Sequence, residues 1–269
     1  MLTIPLCARH FSYLDPVDRR IRALTTFLLL VIAILGAGSG TPISASAQEL
    51  PTALPEEVGM SSSRLDRLTG ALQKYVNTKR IPGAVAMVLR DGRVVYHEAV
   101  GKLDIEADVP MGQDVIFRIA SQTKALVSVA IMMLQEDGDL LISDPVSKYI
   151  PSLEATTVAE ASNDGYQIVA AKRPITVRDL LTHTAGIGYG WDPGGEAWHK
   201  AGITGWYFAN RNEPMIETVN RMATLPFQAH PGERFVYGYS TDILGAVVEV
   251  ISGTSLDEFL KNRIFEPLG

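Results

Sequence analysis

From Ala125 to Leu134 every position is apolar except Ser128, and a stretch apolar on all faces predicts a helix buried inside a protein. Lys124 stands at its mouth, three residues after Ser121. Upstream, Leu65, Leu68, Leu72 and Tyr75 recur at helical spacing behind Ser63-Arg64-Leu65-Asp66, which has the form of a capping box. This pattern predicts an amphipathic helix over residues 64–78. The run "GAVAMVLRDGRVVYHEAVG" then sets Asp91-Gly92 between two extended segments, a strong hairpin signal. Its first strand, Ala84 to Leu89, is apolar throughout rather than alternating, which predicts burial on both faces.

Beyond the apolar helix, Pro145 and Pro151 break the chain, and a polar excursion follows from Glu154 to Arg173. Thr176 with Asp179 marks another helix start, running through Leu180 and Leu181 into Gly186. Residues 186–213 read as a long loop that carries all three tryptophans, Trp191, Trp198 and Trp206. Such a cluster suits either a pocket wall or a loop packed on its own core. Ile243, Leu244, Val247, Val248 and Ile251 form one helix face ending at Gly253, and Ser255 with Glu258 starts a further helix that ends before Pro267. Two strands cannot form the buried sheet that Ala84 to Leu89 requires. Further strands are therefore expected, and since the sequence stops at Gly269 just after a helix, it reads as the front part of a longer protein.

Composition sharpens this picture. A chain of 269 residues, 46% hydrophobic, suffices for one sizeable core with a subdomain. Arg19, Arg20 and Arg22 precede the apolar stretch Ala23 to Gly38, which leads to Ala45-Ser46-Ala47. That order describes a secretory signal over residues 1–47, with cleavage before Gln48. The alternative, a membrane anchor, asks for about 20 apolar residues, more than the run supplies. Cleavage removes four arginines and two aspartates from a chain of net charge −6, leaving −8 on residues 48–269. An acidic product argues against nucleic acid as a partner. Cys7, the one cysteine, leaves with the signal, so disulfides and zinc-thiolate sites are excluded and export to a bacterial periplasm is expected.

The candidate chemistry lies in Ser121-Gln122-Thr123-Lys124. Residues three apart share a helix face. The positive end of the helix dipole favours charge developing on a hydroxyl there and disfavours a protonated lysine. Together with desolvation, this predicts a lowered pKa for Lys124 and a usable base. Histidine catalysis has less support: no G-x-S-x-G or H-E-x-x-H is present, and His183 in "LLTHTAG" reads as a structural residue bonding backbone near a helix end. Asp91, Asp144 and Asp242 read as turn and cap residues.

The segment "FRIASQTKALVSVAIMMLQEDGDLLISDPVSKYIPSL" resembles the nucleophile region of the β-lactamase-related serine hydrolases. That family includes class C β-lactamases, D-alanyl-D-alanine peptidases and family VIII carboxylesterases. The likeness continues through "ITVRDLLTHTAGIGYG" and "PGERFVYGYSTDILGAVVEVISGTSLDEFLKNRIFEPLG", covering nearly all of residues 62–269. The resemblance implies an α/β (α+β) fold with an antiparallel sheet flanked by helices plus a helical subdomain. It also implies Ser121 as nucleophile, Lys124 as its partner, a tyrosine of a Y-x-N motif as a further proton carrier, and no cofactor or metal. In "FVYGYSTDILG", alignment on Asp242, Leu244 and Gly245 makes Tyr237 that tyrosine, whereas alignment on the tyrosine-serine pair selects Tyr239. With Tyr237 as the carrier, Tyr239 takes the substrate-binding place that asparagine holds in class C enzymes. This departure tilts the expected substrate from β-lactams towards small-molecule esters or peptides. The family's third motif, Lys-Thr-Gly or a His-Gly variant on a late strand, does not occur after Tyr237. With it would go one of two oxyanion-hole donors, so a non-catalytic relative without turnover stands as the second reading.

Overall fold

The structure, a computed structural model, describes residues 50–163 and 165–269. The expected signal therefore lies outside the described residues. The first helix, α1 (Ser62–Asn77), precedes a hairpin of β1 (Gly83–Arg90) and β2 (Arg93–Asp104), and β3 (Val109–Pro110) adds to the outer edge of β2. Both pairings are antiparallel. Asp91 and Gly92 turn the hairpin at φ values of 50° and 70°, the left-handed pair that a two-residue hairpin turn requires. The helix α1 begins two residues ahead of the expected start, and the Ser63 capping box does not form. Glu56 instead accepts hydrogen bonds from the Ser62 N–H at 2.8 Å and the Ser62 hydroxyl at 2.9 Å.

A 3-10 turn, Ala120–Gln122, leads directly into α2 (Thr123–Asp137). The stretch read as a polar excursion, Glu154 to Arg173, contains a second hairpin, β4 (Thr157–Ser162) with β5 (Gly165–Ala170). Next come α3 (Val177–Leu181), α4 (Gly195–Lys200), α5 (Met215–Met222) and β6 (Pro226–Phe227), the last pairing parallel to β4. The helix α3 forms the capping box read at Thr176 and Asp179 but stops at Leu181, well before Gly186. The last long helix, α6 (Ser240–Ser252), ends on a left-handed Gly253 as expected. It is followed by α7 (Leu256–Leu260), a π-helical stretch and a closing turn, Glu266–Leu268, which runs through Pro267 rather than ending before it.

The main core belongs to the helical body. Ile131 and Leu134 of α2, Leu180 of α3, Val219 of α5 and Leu244 and Val247 of α6 are all buried. Two expectations of burial are corrected. The helix α2 buries Val127, Ala130, Ile131 and Leu134, while Ala125, Val129 and Met132 are exposed. Strand β1 is at most half-buried, with Met87 and Leu89 each 46% exposed. The described sheet has three strands, and α1 packs on β2. The apolar sequence of β1 and the outer face of α2 thus exceed what the described residues cover. Among the described residues, no helix is long and apolar enough to cross a membrane.

Candidate active site

Ser121 sits on the turn that opens α2. The preceding residue, Ala120, holds φ at 46°, a left-handed conformation that costs a non-glycine residue about 1–2 kcal/mol. Strain of this kind collects where the chain presents a functional side chain. One turn on, Lys124 Nζ lies 3.4 Å from Ser121 Oγ and 3.4 Å from the hydroxyl of Tyr189. The same ammonium is 4.9 Å from the centroid of the Tyr237 ring.

Tyr237 arrives from far along the chain because two backbone contacts hold its segment. The Val236 N–H donates to the His183 carbonyl at 2.8 Å. Gly238 lies flat on Ile187 and Gly188, where a Cβ would come within 2.4 Å of the Ile187 oxygen. The second position of Tyr237-Gly238-Tyr239 therefore accepts only glycine. The "THTAGIGYG" segment thus works as the bracket that brings both Tyr189 and Tyr237 to Lys124.

The ionisation of the pair reverses the expectation for Lys124. Burial pulls its pKa down, but hydrogen bonding to Tyr237 and the influence of Tyr189 outweigh burial, and the net shift is upward. The Tyr237 pKa is lowered, first by hydrogen bonding to Ser121, against burial, and then by Lys124. Two phenols beside one amine stabilise its cation, and the cation in turn stabilises a phenolate. The cation is therefore favoured on Lys124, and its charge together with Ser121 eases loss of the Tyr237 proton. Tyr189 was not singled out in the sequence. Burial raises its pKa, so it serves as a neutral hydroxyl beside the ammonium.

Tyr239 reaches the cavity through its ring and not through its hydroxyl. It is 1% exposed, its hydroxyl donates to the Gly205 carbonyl at 3.0 Å, and burial pushes its pKa upward. Its ring lines the cavity, but its hydroxyl is already occupied. His183 is corrected: among the described residues its ring makes no backbone hydrogen bond, and its buried Nδ1 has no partner there. The ring instead packs 4.8 Å from that of Tyr237, and burial followed by the Lys124 charge lowers its pKa. Asp242, in the first turn of α6, lines the same cavity as Lys124 rather than serving only as a cap. Of the tryptophans, Trp198 is buried and donates to the Pro226 carbonyl, whereas Trp191 and Trp206 stand on the cavity wall. Among the described residues, no group of three or more His, Cys, Asp or Glu is arranged to hold a metal ion.

Mixed helices and antiparallel sheets, with a hydroxyl at a helix N-terminus facing an ammonium and a phenol, define a β-lactamase-like fold. Residues 68–269 match the family model described as Beta-lactamase, and the chain belongs to that family of serine hydrolases. It is 33% identical over 221 residues to esterase EstB of Burkholderia gladioli, covering 81% of this chain and 53% of the relative. It is 32% identical to lovastatin esterase of Penicillium rubens, covering 73% of this chain and 49% of the relative. Among solved structures, EstCE1, described as a hydrolase with promiscuous acyltransferase activity, superposes with a TM-score of 0.66 at 31% identity. That match covers 77% of this chain and 52% of EstCE1. The chain thus spans about half the length of the relatives it matches.

Proposed function

We propose that the protein is a serine hydrolase that acts on carboxylic esters through an acyl-enzyme. The observation that carries this reading is the convergence of Ser121, Lys124 and Tyr237, in which the phenol is the acidified partner and the amine the cation. The Ser121 hydroxyl attacks the ester carbonyl while the Tyr237 phenolate takes its proton. Lys124 steadies the phenolate, and the N-terminus of α2 faces the charge developing on the carbonyl oxygen. Collapse of the tetrahedral intermediate breaks the bond to the alkoxide, which leaves with the proton from Tyr237. Water then attacks the acyl-serine by the same route, giving the carboxylic acid and restoring Ser121.

The ester preference draws on the esterase relatives and on the occupied hydroxyl of Tyr239, which offers no amide-like donor. A fluorophosphonate probe tests the nucleophile: labelling is expected on Ser121 and lost in Ser121→Ala. Labelling that survives this substitution refutes the assignment, and absence of labelling in the unsubstituted chain favours the non-catalytic reading. The basic, apolar and small-residue order of residues 19–47 supports export as part of this proposal. N-terminal sequencing of the expressed protein checks it, with Gln48 expected as the first residue.

A further inference from the structure

The cavity beside Ser121 has a volume of about 580 Å³, within the range that holds small organic ligands. Its wall runs from Lys124 one turn along α2 to Val127, and from Thr241 and Asp242 on α6 across to Phe208 and Trp206. Met215 and Leu256, the first residues of α5 and α7, also line it. These two side chains close over Gly245 of α6, where a Cβ would lie 2.8 Å from Met215 Cε and 3.0 Å from Leu256 Cδ2. Gly245 is one turn beyond Thr241, so Met215 and Leu256 meet α6 one turn further along than the lining residue Thr241. Its charged side chains besides Lys124 are Arg118, which is exposed, and Asp242. Burial pushes the Asp242 carboxyl up to about 6, against the pull of Lys124, which marks surroundings of low polarity.

We infer that this cavity is the acyl pocket, that the substrates are esters of an extended apolar acyl chain, and that Met215 and Leu256 set its length limit. This rests on Ser121 as the nucleophile, because the carbonyl must lie at the mouth of the cavity for the chain to run inward. Each methylene taken from water into such a wall gains about fourfold in affinity. The gain stops where the chain meets Met215 and Leu256.

The test uses the Ser121→Ala chain, so that occupancy is read without acylation. Straight-chain methyl ketones from butanone to dodecanone serve as ligands, with binding followed by the fluorescence of Trp191 and Trp206 on the wall. Affinity is expected to climb about fourfold per methylene and then level off at a defined length. Leu256→Ala moves that length upward and Leu256→Trp moves it downward, with Met215→Ala as a second enlarging variant should one of these fail to melt cooperatively. Affinity independent of chain length, or a limit unmoved by every folded variant, overturns the inference. The unsubstituted chain, assayed with p-nitrophenyl esters of the same acyl lengths, separates the two proposals. A length limit for ketones without ester turnover refutes only the catalytic reading, and turnover whose profile ignores the Leu256 variants refutes only the acyl pocket.

Discussion

Tyr237 is pulled in two directions: burial holds its proton on, while Ser121 and Lys124 draw it off and prevail. If the phenolate is the base, the rate of probe labelling rises with pH through a midpoint below 10, the ordinary value for a phenol. Lys124→Met removes both the cation and its hydrogen bond, so the midpoint moves upward as the labelling rate at neutral pH falls; a midpoint that stays in place excludes Tyr237 as the base. His183 poses a second question, since it holds a left-handed φ of 55° and also packs its ring on Tyr237. Asparagine tolerates that backbone but lacks the ring, and phenylalanine keeps a ring but not the preference. If the ring matters as a platform, His183→Phe keeps labelling within about threefold while His183→Asn loses about tenfold or more, roughly the 1.4 kcal/mol that a tenfold change represents. The reverse order would make the backbone conformation the reason for histidine. The Ser121 and Lys124 neighbourhood was legible from spacing alone, because a three-residue separation fixes a shared helix face. The sign of the Lys124 shift was not, because Tyr189 and Tyr237 arrive from 65 and 113 positions away.

The contrast between α1 and α3 shows when a cap can be read locally. Ser61, Ser62 and Ser63 each offer a capping hydroxyl, and Glu56, from the preceding turn, settles the start by binding Ser62. At α3 one threonine stands alone: the Thr176 hydroxyl accepts from the Asp179 N–H, and the Asp179 carboxylate accepts from the Thr176 N–H. Thr176→Ala should cost about 1 kcal/mol in denaturant unfolding. Asp179 also forms a fork with Arg173 at 2.6 and 2.8 Å. Burial works to raise the Asp179 pKa, but these hydrogen bonds prevail and lower it. Its contribution is therefore present above the unfolded carboxylate pKa and is lost as pH falls through the folded one. Arg173→Ala removes the fork but leaves Asp179 its bonds from Thr176 and Thr184, and with the Arg173 side chain 43% exposed it should cost about 1.5 kcal/mol near neutral pH. The difference from the unsubstituted chain should shrink on acidification, as urea melts across that range would show. The β4–β5 hairpin escaped sequence reading because β5, Gly-Tyr-Gln-Ile-Val-Ala, is mostly apolar without alternating and yet almost wholly exposed, while β4 is fixed partly by distant β6.

The described chain divides its apolar burial unequally. The helical body holds a continuous core from Val127 to Ile264, whereas the α1 and β1–β3 layer contributes Leu65, Val95, Tyr96 and Val100 outside that cluster. Sparse apolar contact lowers the free energy of local opening. Amide hydrogen exchange should therefore be faster across β1 and β2 than across α2 and α6, and equal protection in both layers would refute this division. Val129 and Met132 on α2, with 49% and 43% of their surface exposed, should bind an apolar dye. Val129→Lys with Met132→Lys should reduce that binding without lowering the melting temperature by more than a few degrees. Local sequence alone established the hairpin, the helices at the nucleophile and at Ile243 to Ile251, and the Ser121–Lys124 spacing, because these depend on neighbours within a turn or two. Which tyrosines meet Lys124, which of the two groups carries charge, which tryptophans face the cavity and how much of β1 is covered depended on segments brought together from distant parts of the chain. Electrostatics and burial arise from that three-dimensional neighbourhood, and no local pattern of side chains encodes it.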